Sequence, residues 1–276
     1  MTIKEIEKLI EEGESLKAIA QAYSEIANLK IKRIRSEVER NRVFFAEISK
    51  VYGLVKILGN KRKVSVAKPK KRVCLLITSN YRFYGEIHTH LIKFFISFAQ
   101  ELDTDIILLG KAAIDYFNAK PIFKNPKEII LKSDQPNTQE LAGIVSIIKD
   151  YNQVLIFHSR LKSLLVQQPV FTDITASSES VLTAEEAKVR FIFEPELLKI
   201  LQFFDSSILT LLIEATFLES EVSRTASRFI SMDQAETEAN KVLKGYLKLK
   251  AHTKRTMINK QLLESITSIQ AVRKMI

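Results

Sequence analysis

The sequence has few of the residues that cross-link a fold or interrupt its helices and strands. Among 276 residues there are no tryptophans, one cysteine, seven glycines and six prolines. The lone Cys74 lies in the apolar run VCLLIT, which excludes a disulfide framework and is typical of a reducing compartment. No run of about 20 apolar residues exists, and the charged start MTIKEIEKLIEEGE lacks the apolar core of a secretory signal. We therefore expect a cytoplasmic protein.

The prolines are unevenly distributed along the chain. All six lie between Pro69 and Pro195, so the first 68 and the last 81 residues have none. Proline disrupts helix interiors because it lacks a backbone donor and clashes with the preceding turn. The two proline-free arms therefore predict two long helices on either side of a different middle segment.

Both arms show helical periodicity. We predict one helix from about Ile3 to about Leu58 and a second from about residue 200 to about residue 272, which would be roughly 105 Å long at about 1.5 Å per residue. In the first arm, apolar residues recur at steps of three, four or seven, as in the seam of two paired helices. This predicted seam consists of Ile6, Leu9, Ile10, Leu16, Ile19, Tyr23, Ile26, Ile34, Val38, Phe45, Ile48 and Tyr52.

The middle segment alternates strand-like and helix-like patterns. This alternation predicts a small α/β domain with a partly parallel sheet. The strands are expected at 73–78, 105–110, 128–132, 153–159, 171–176 and 189–193, and the helices at 90–102, 111–117 and 138–151.

The predicted fold is therefore α/β with a long antiparallel coiled coil. The terminal helices pair with each other, and a small Rossmann-like α/β domain is inserted between them. The expected domains are a coiled-coil helix at 1–60, a basic linker at 61–72, the α/β domain at 73–195 and a second coiled-coil helix at 196–276.

The formal net charge of +10 is concentrated in the arms. Residues 1–72 carry +9, residues 73–195 carry −2, and residues 196–276 carry +3. Between Lys241 and Lys260 there are seven basic residues and no acidic one. Basic helices favour an anionic partner, which could be a nucleic acid, a lipid surface or an acidic protein collar.

Signs of catalytic chemistry are missing from the sequence. It contains no GxxxxGK[ST], GxGxxG, HExxH or CxxC motif. His88 and His90 have a spacing that suits ordinary polar positions better than a metal pair. The segment Thr78–Asn80 ends a predicted strand, where ligands often bind, but no glycine-rich turn follows it. We expect neither an enzyme nor a bound cofactor or metal.

Several segments together resemble the gamma subunit of F-type ATP synthases. IAQAYSEIANLK (19–30) is similar to that family's ITKAMxMVAAxK, and ITSNYRFYGEIH (77–88) to ITSDRGLCGGYN. LLGKAAIDYF (108–117), QVLIFHSRLKSLLVQQP (153–169) and FIFEPE (191–196) follow in the family's order. SRTASRFISMDQAETEAN (223–240) resembles SExAARMxAMxxATxNA, and KRTMINKQLLESI (254–266) resembles RQAxITxELxEIV.

The sequence also departs from the family pattern. Arg224 replaces the acidic residue of SExAARM, Arg255 replaces the glutamine of RQAxIT, and Asn259 replaces its threonine. These departures fit rapid drift with compensation in partner subunits, or a specialised paralogue that turns within a different ring.

The resemblance implies a non-catalytic rotor. The chain would stand in a hexamer of three alpha and three beta subunits, contact an epsilon-like subunit and a ring of c subunits, and lie peripherally at the cytoplasmic face of the cell inner membrane. It would couple c-ring rotation to conformational change in the hexamer. Phe191, Phe193 and Glu194 resemble the foot that meets epsilon and the c ring. The residues matched to contacts with alpha and beta are Ile19, Ala22, Tyr23, Ile26, Lys30, Arg33, Lys254, Arg255, Ile258 and Leu262, with Ile266 in the same collar.

Two alternatives remain from the sequence. One is a gamma-like shaft of a specialised rotary or motility ATPase, which the altered contact motifs suggest. The other is a basic coiled-coil adaptor that binds nucleic acid, which the charge of the first arm suggests.

Overall fold

The two long helices predicted from the sequence are present. The computed structural model describes residues 1–61, 70–175, 194 and 196–273. Helix α1 spans Ile3–Lys61 and helix α5 spans Leu197–Arg273. Neither helix contains a proline, and their ends agree with the expected ends to within about three residues. No described helix is both long enough and apolar enough to cross a bilayer.

The described residues between these helices form five strands and three helices in the predicted alternating order. Five of the six predicted strands are found, and the sixth, at 189–193, lies outside the described residues. Lys70–Arg72, the end of the predicted linker, already belong to β1. The elements are β1 Lys70–Ile77, α2 Ile87–Ala99, β2 Asp105–Leu109, α3 Lys111–Ala119, β3 Lys127–Ile129, α4 Thr138–Ile148, β4 Tyr151–Ser163 and β5 Val166–Asp173.

The strands form one mixed sheet in the order β3-β2-β1-β4-β5. β1, β2, β3 and β4 pair in parallel because helices connect them, and β5 returns antiparallel to β4 through a short turn. The predicted α/β class is thus confirmed: along the chain, one long helix precedes the mixed sheet and one follows it. The predicted domain bounds at residues 60, 72 and 195 stay predictions.

Alternate residues of β1, the central strand, point to opposite faces of the sheet, and helices cover both faces. On one face, Val73, Leu75 and Ile77 pack with α4 and with Leu209, Ile213 and Phe217 of α5. On the other face, Cys74 and Leu76 pack with α2 and α3. Strands that are buried on both faces read as continuous apolar runs, which explains the sequence VCLLI. The buried cysteine is a small core residue.

The chain divides into two compact units, residues 1–26 with 229–276 and residues 27–228. In the first unit, Ile6 and Ile10 of α1 pack against Leu243 and Tyr246 of α5. Glu7 forms an ion pair with Lys250 at 2.8 Å. These contacts show two helices in side-by-side packing, as the sequence predicted.

In the first unit, the predicted seam residues Ile6 and Ile10 are confirmed, but from Gly13 onward the seam of α1 follows a different stripe of residues from the predicted one. Leu16, Ile19 and Ile26 are 53–65% exposed, whereas Ala20 is buried. A Cβ atom on Gly13 would lie 2.8 Å from Leu243 Cδ2. The helices approach closely here, so small residues occupy the seam and the larger apolar residues point away from it.

In the second unit, helix α1 packs mainly through β-branched residues. Ile34 and Val38 form a cluster with Val222 of α5, and Leu161 of β4 and Leu218 lie against it. Ala27 and Ile31 are buried on the same face of α1. Ile34 and Val38 were predicted as seam residues and are confirmed. Phe45 and Tyr52, also predicted there, have side chains outside the described set.

Candidate functional site

The segment Thr78–Asn80, which follows β1, caps the start of helix α3. Thr78 Oγ1 accepts a hydrogen bond from the amide of Ala113 at 3.1 Å, and Asn80 Oδ1 accepts one from Lys111 at 3.1 Å. The carbonyl of Ser79 accepts from Ala112 at 3.1 Å. The first amides of α3 are thus already bonded within the chain, so this helix start offers no free donors to a phosphate.

A glycine permits this close capping. Gly110 precedes α3 with a φ of 93°, and a Cβ atom there would lie 2.8 Å from the carbonyl carbon of Thr78. Any other residue would be strained in this left-handed conformation and would also clash. The TSN segment and Gly110 therefore have a structural role.

Two histidines of the α/β domain, the partly buried His88 and the buried His158, lie within hydrogen-bond distance of hydroxyl groups. His88 Nε2 lies 2.7 Å from Ser79 Oγ, and His158 Nε2 lies 3.0 Å from Thr172 Oγ1. Burial lowers the pKa of His88 to about 3 and that of His158 to about 4, so both are neutral at pH 7. Within the described residues no group of three or more His, Cys, Asp or Glu could hold a metal ion.

The most unusual polar group in the second unit is Arg224 of α5, which is only 1% exposed. Its guanidinium donates to the carbonyl of Thr78 at 3.3 Å and to that of Asp134 at 3.2 Å. It also donates to Ser220 Oγ at 3.0 Å. Burial lowers the pKa of Arg224, while Asp134 and Tyr84 favour its charged form. Arg224 thus ties α5 to the end of β1 and to the loop before α4.

The loop before α4 is held by several further bonds. Asp134 accepts from the amide of Asn80 at 2.8 Å and from the phenol of Tyr84 at 2.5 Å. Burial, and next this bond to Asp134, raise the pKa of Tyr84 above its usual range. At the end of the loop, Asn137 and Glu140 form a reciprocal capping box at the start of α4. The loop is therefore a rigid joint between the sheet and α5.

Arg228 of α5 adds a contact to this joint. Its guanidinium carbon lies 4.0 Å from the centre of the Tyr84 ring, which is a cation–π geometry. One of its NH groups donates to the carbonyl of Arg82 at 3.0 Å. The neighbouring Ser227 Oγ donates to the carbonyl of Tyr84 at 2.7 Å. One turn of α5 therefore bonds to three parts of the α/β domain.

Sequence reasoning did not identify this joint. The sequence shows Arg224 only as a departure from the family pattern, and the two carbonyls that its guanidinium binds lie 90 and 146 residues away along the chain. A weak signal existed: Arg224 stands in the run SEVSRTAS, where small residues allow close packing of the helix. At this position the altered residue is a buried structural group.

The predicted ring-contact residues of α1 lie mostly on its exposed side. Ile19 and Ile26 are more than half exposed, and Ala22 and Tyr23 are also exposed. In the second unit Arg33 is exposed, whereas Lys30 forms an ion pair with Glu221 of α5.

The predicted ring-contact residues of α5 lie on a part of that helix where every residue is exposed. Lys254, Arg255, Ile258 and Leu262 all belong to the run of exposed residues at 254–270. The structure does not bring them together with the predicted contacts of α1 in the first unit. Gln21 pairs with Glu236 at 2.6 Å, whereas Thr253 shares a groove with Thr2 and Ile3, so the two groups lie at different heights along the helices.

The predicted foot is described at one residue only. Glu194 is exposed. Phe191 and Phe193 lie outside the described residues, so their contact with epsilon and the c ring stays a prediction.

Comparison with known proteins finds similarity to ATP synthase gamma chains along nearly the whole sequence. Residues 2–272 match the family model described as ATP synthase. The gamma chain of ATP synthase from Wolbachia pipientis is 20% identical over 98% of this chain and 99% of its own length. That from Mycoplasma mycoides is 25% identical over 87% and 88%. A chain described as sodium ion specific, from Acetobacterium woodii, is 20% identical over 98% of each.

Solved structures show the same fold. A chain of the rotor of the Euglena gracilis mitochondrial ATP synthase superposes with a TM-score of 0.64 at 16% identity, covering 93% of this chain and 99% of its own. A central-stalk chain of the Tetrahymena thermophila enzyme gives a TM-score of 0.60 at 19% identity, covering 79% and 99%. Because the family match spans nearly the whole sequence and the named relatives are gamma chains, this chain belongs to the ATP synthase gamma family.

Proposed function

We propose that this chain is the central rotor subunit of an ATP synthase and performs no bond chemistry itself. Its helices would stand inside a hexamer of alpha and beta subunits, and its α/β domain would connect to an epsilon-like subunit and the c ring. The complex would place the chain at the cytoplasmic face of the inner membrane as a peripheral subunit. The membership of the chain in the gamma family supports this proposal.

One structural observation carries the proposal. Beyond Thr253, α5 presents Ile258, Leu262 and Ile266 at 42–56% exposure, and no other described part of the chain covers them. Apolar residues that recur every four positions on an isolated helix are unfavourable in water. A collar of partner subunits around this segment would bury them and remove that cost.

The basic residues in the same segment suit an acidic collar. Lys254 and Arg255 are both exposed, and the helix carries no acidic residue between Lys241 and Lys260. Charge complementarity of this kind sets orientation and register more than raw affinity.

The mechanism follows from asymmetry. A helix pair has different side chains on each face, so each beta subunit around it would meet a different surface. Rotation of the pair would change which beta conformation has the best contacts, and thereby which nucleotide state is favoured. The rotor would thus act through differential binding, and the rigid joint at Arg224 would keep the α/β domain from twisting against α5.

A charge reversal tests this mechanism. We expect K254E combined with R255E to fold as the parent does, because both side chains are exposed, but to lower the number of ions pumped per ATP hydrolysed. The measurement uses the reconstituted complex in vesicles, with circular dichroism of the free chain as the folding control. K124E combined with K127E is the matched double reversal, because both lysines are exposed and lie in the α/β domain, outside this basic run. Pumping at the parental rate by assembled K254E/R255E would contradict the proposal.

A further inference from the structure

A chain of side-chain contacts connects the α/β domain to Lys30 of α1. Lys30 of α1 forms an ion pair with one carboxylate oxygen of Glu221 on α5. The other oxygen of Glu221 accepts a hydrogen bond from the side-chain amide of Gln135, in the loop before α4. Lys30 is therefore linked through α5 to the loop that also receives Arg224.

The burial of the two partners is unequal. The side chain of Glu221 is 5% exposed, while that of Lys30 is 43% exposed. A buried carboxylate is unfavourable unless it is paired and hydrogen-bonded, so Glu221 needs both of its partners. A lysine at a surface normally samples many rotamers, but one that is paired with a fixed, buried carboxylate samples few.

We infer that Glu221 is a positioning residue for Lys30. It holds the lysine in place on the face of α1 that would meet the catalytic ring, and Gln135 in turn holds Glu221. This inference rests on the proposed function, since it presumes a ring for Lys30 to meet.

The advantage of this arrangement is preorganisation. A lysine that is ordered only on binding weakens the complex about 3- to 10-fold, whereas one that is already ordered avoids that loss. The α/β domain thereby helps to set a contact made by the paired helices. Glu221 needs no direct contact with the ring for this role.

The test compares five variants of the full chain in the reconstituted complex. E221Q removes the charge but keeps the shape, E221D keeps the charge on a shorter arm, and K30Q removes the positioned group. The double variant K30Q/E221Q measures whether the two residues act together. E219Q is the matched control, because Glu219 pairs with Arg160 of β4 at 3.1 Å and lies two residues from Glu221 on the same helix. The readouts are the dissociation constant from the alpha–beta hexamer and the ratio of ion pumping to ATP hydrolysis.

We expect K30Q and E221Q each to weaken hexamer binding about 3- to 10-fold. The double variant should be no weaker than K30Q alone, because Glu221 acts only through Lys30. E221D should recover part of the loss, and E219Q should bind as the parent does. If E221Q does not fold, the same comparison is made with Q135A, which removes the group that holds Glu221.

Three results would overturn the inference. E221Q that binds and pumps as the parent, beside a weakened K30Q, would show that Lys30 needs no positioning. Losses that multiply in the double variant would show that Glu221 acts independently of Lys30. Parental binding by K30Q would show that Lys30 makes no contact with the hexamer that contributes to affinity. The proposed function would still survive this result if K254E/R255E lowered coupling. Failure of the parent chain to bind the hexamer would instead reject the proposed function.

Discussion

Replacing Arg224 with alanine should strongly destabilise the second unit. The guanidinium is buried and donates three hydrogen bonds, to the carbonyls of Thr78 and Asp134 and to Ser220. Its removal would detach α5 from the end of β1 and from the loop before α4. A cavity the size of an arginine side chain would remain in the joint.

The magnitude follows from the balance of three effects. Hydrogen bonds from a charged donor contribute about 1.5–3 kcal/mol each, and buried carbonyls left without a donor cost about 1–3 kcal/mol each. Against this, the unfavourable burial of the charge is relieved. Breaking one side of such a buried polar network costs about 3–5 kcal/mol on balance. We therefore expect Arg224→Ala to lower the free energy of unfolding of this unit by about that amount.

The isosteric variant Arg224→Met separates charge from volume. Methionine fills most of the space and removes the buried charge, but the carbonyls of Thr78 and Asp134 lose their bonds to the guanidinium. We expect a loss of about 1–3 kcal/mol, smaller than for alanine. Arg160→Ala is the surface control: Arg160 is 48% exposed and pairs with Glu219, so its loss should cost less than about 1 kcal/mol.

Hydrogen exchange of the β1 amides is the suitable assay, because these amides lie in the second unit and the chain has no tryptophan to report on it. The opening free energy at Leu75 and Leu76 should fall by about 3–5 kcal/mol in Arg224→Ala. A change below about 1 kcal/mol, or an equal effect for Arg160→Ala, would refute the reasoning that this arginine holds the joint together.

Two further predictions concern pH and packing. Burial lowers the pKa of His158 from 6.5 to about 4. As the pH falls, the unfolded chain therefore takes up a proton at His158 before the folded chain does. The free energy of unfolding should fall by about 2 kcal/mol from this group between pH 7.5 and pH 5. Urea unfolding at both pH values should show a smaller loss in H158Q, and an unchanged pH dependence would contradict the assignment. In the helix pair, a Cβ atom on Gly245 has no neighbour within 4 Å, so Gly245→Ala should stabilise α5 by up to about 1 kcal/mol. A leucine in place of Gly13 would instead collide with Leu243, so Gly13→Leu should destabilise the pair by about 1–3 kcal/mol. Thermal melts of both variants test this pair, and equal effects would contradict the close approach at Gly13.

The helix ends and the strands followed directly from local sequence. The absence of proline from both arms predicted α1 and α5 to within a few residues, because proline acts on its own turn. Runs such as VCLLIT predicted five strands of the sheet, because a strand buried on both faces must be continuously apolar.

The seam of α1 followed from its sequence only in part, because the prediction is right at Ile6 and Ile10 but wrong at Leu16 and Ile19. Two adjacent stripes run along this helix, one carrying Leu16 and Ile19 and the other carrying Gly13 and Ala20. Apolarity favours the first, whereas close approach of α5 requires the second. Which stripe is buried depends on the distance between the helices, and a single helix sequence does not contain that distance.

The joint around Arg224 needed the fold for a similar reason. Two of the three partners of its guanidinium are backbone carbonyls, and a carbonyl leaves no mark on the sequence. For Lys30, in contrast, the sequence did suggest a contact. Its match to the family motif predicted a partner contact, and the structure adds the intrachain partner Glu221.

The most direct test of the central claim is to isolate the tagged chain from its native cells and identify its partners. We predict recovery of about three alpha and three beta ATPase subunits per chain, with ATPase activity in the eluate that is absent from the free chain. Recovery of nucleic acid or unrelated proteins, without any ATPase hexamer, would contradict the rotor function while leaving the fold unchanged.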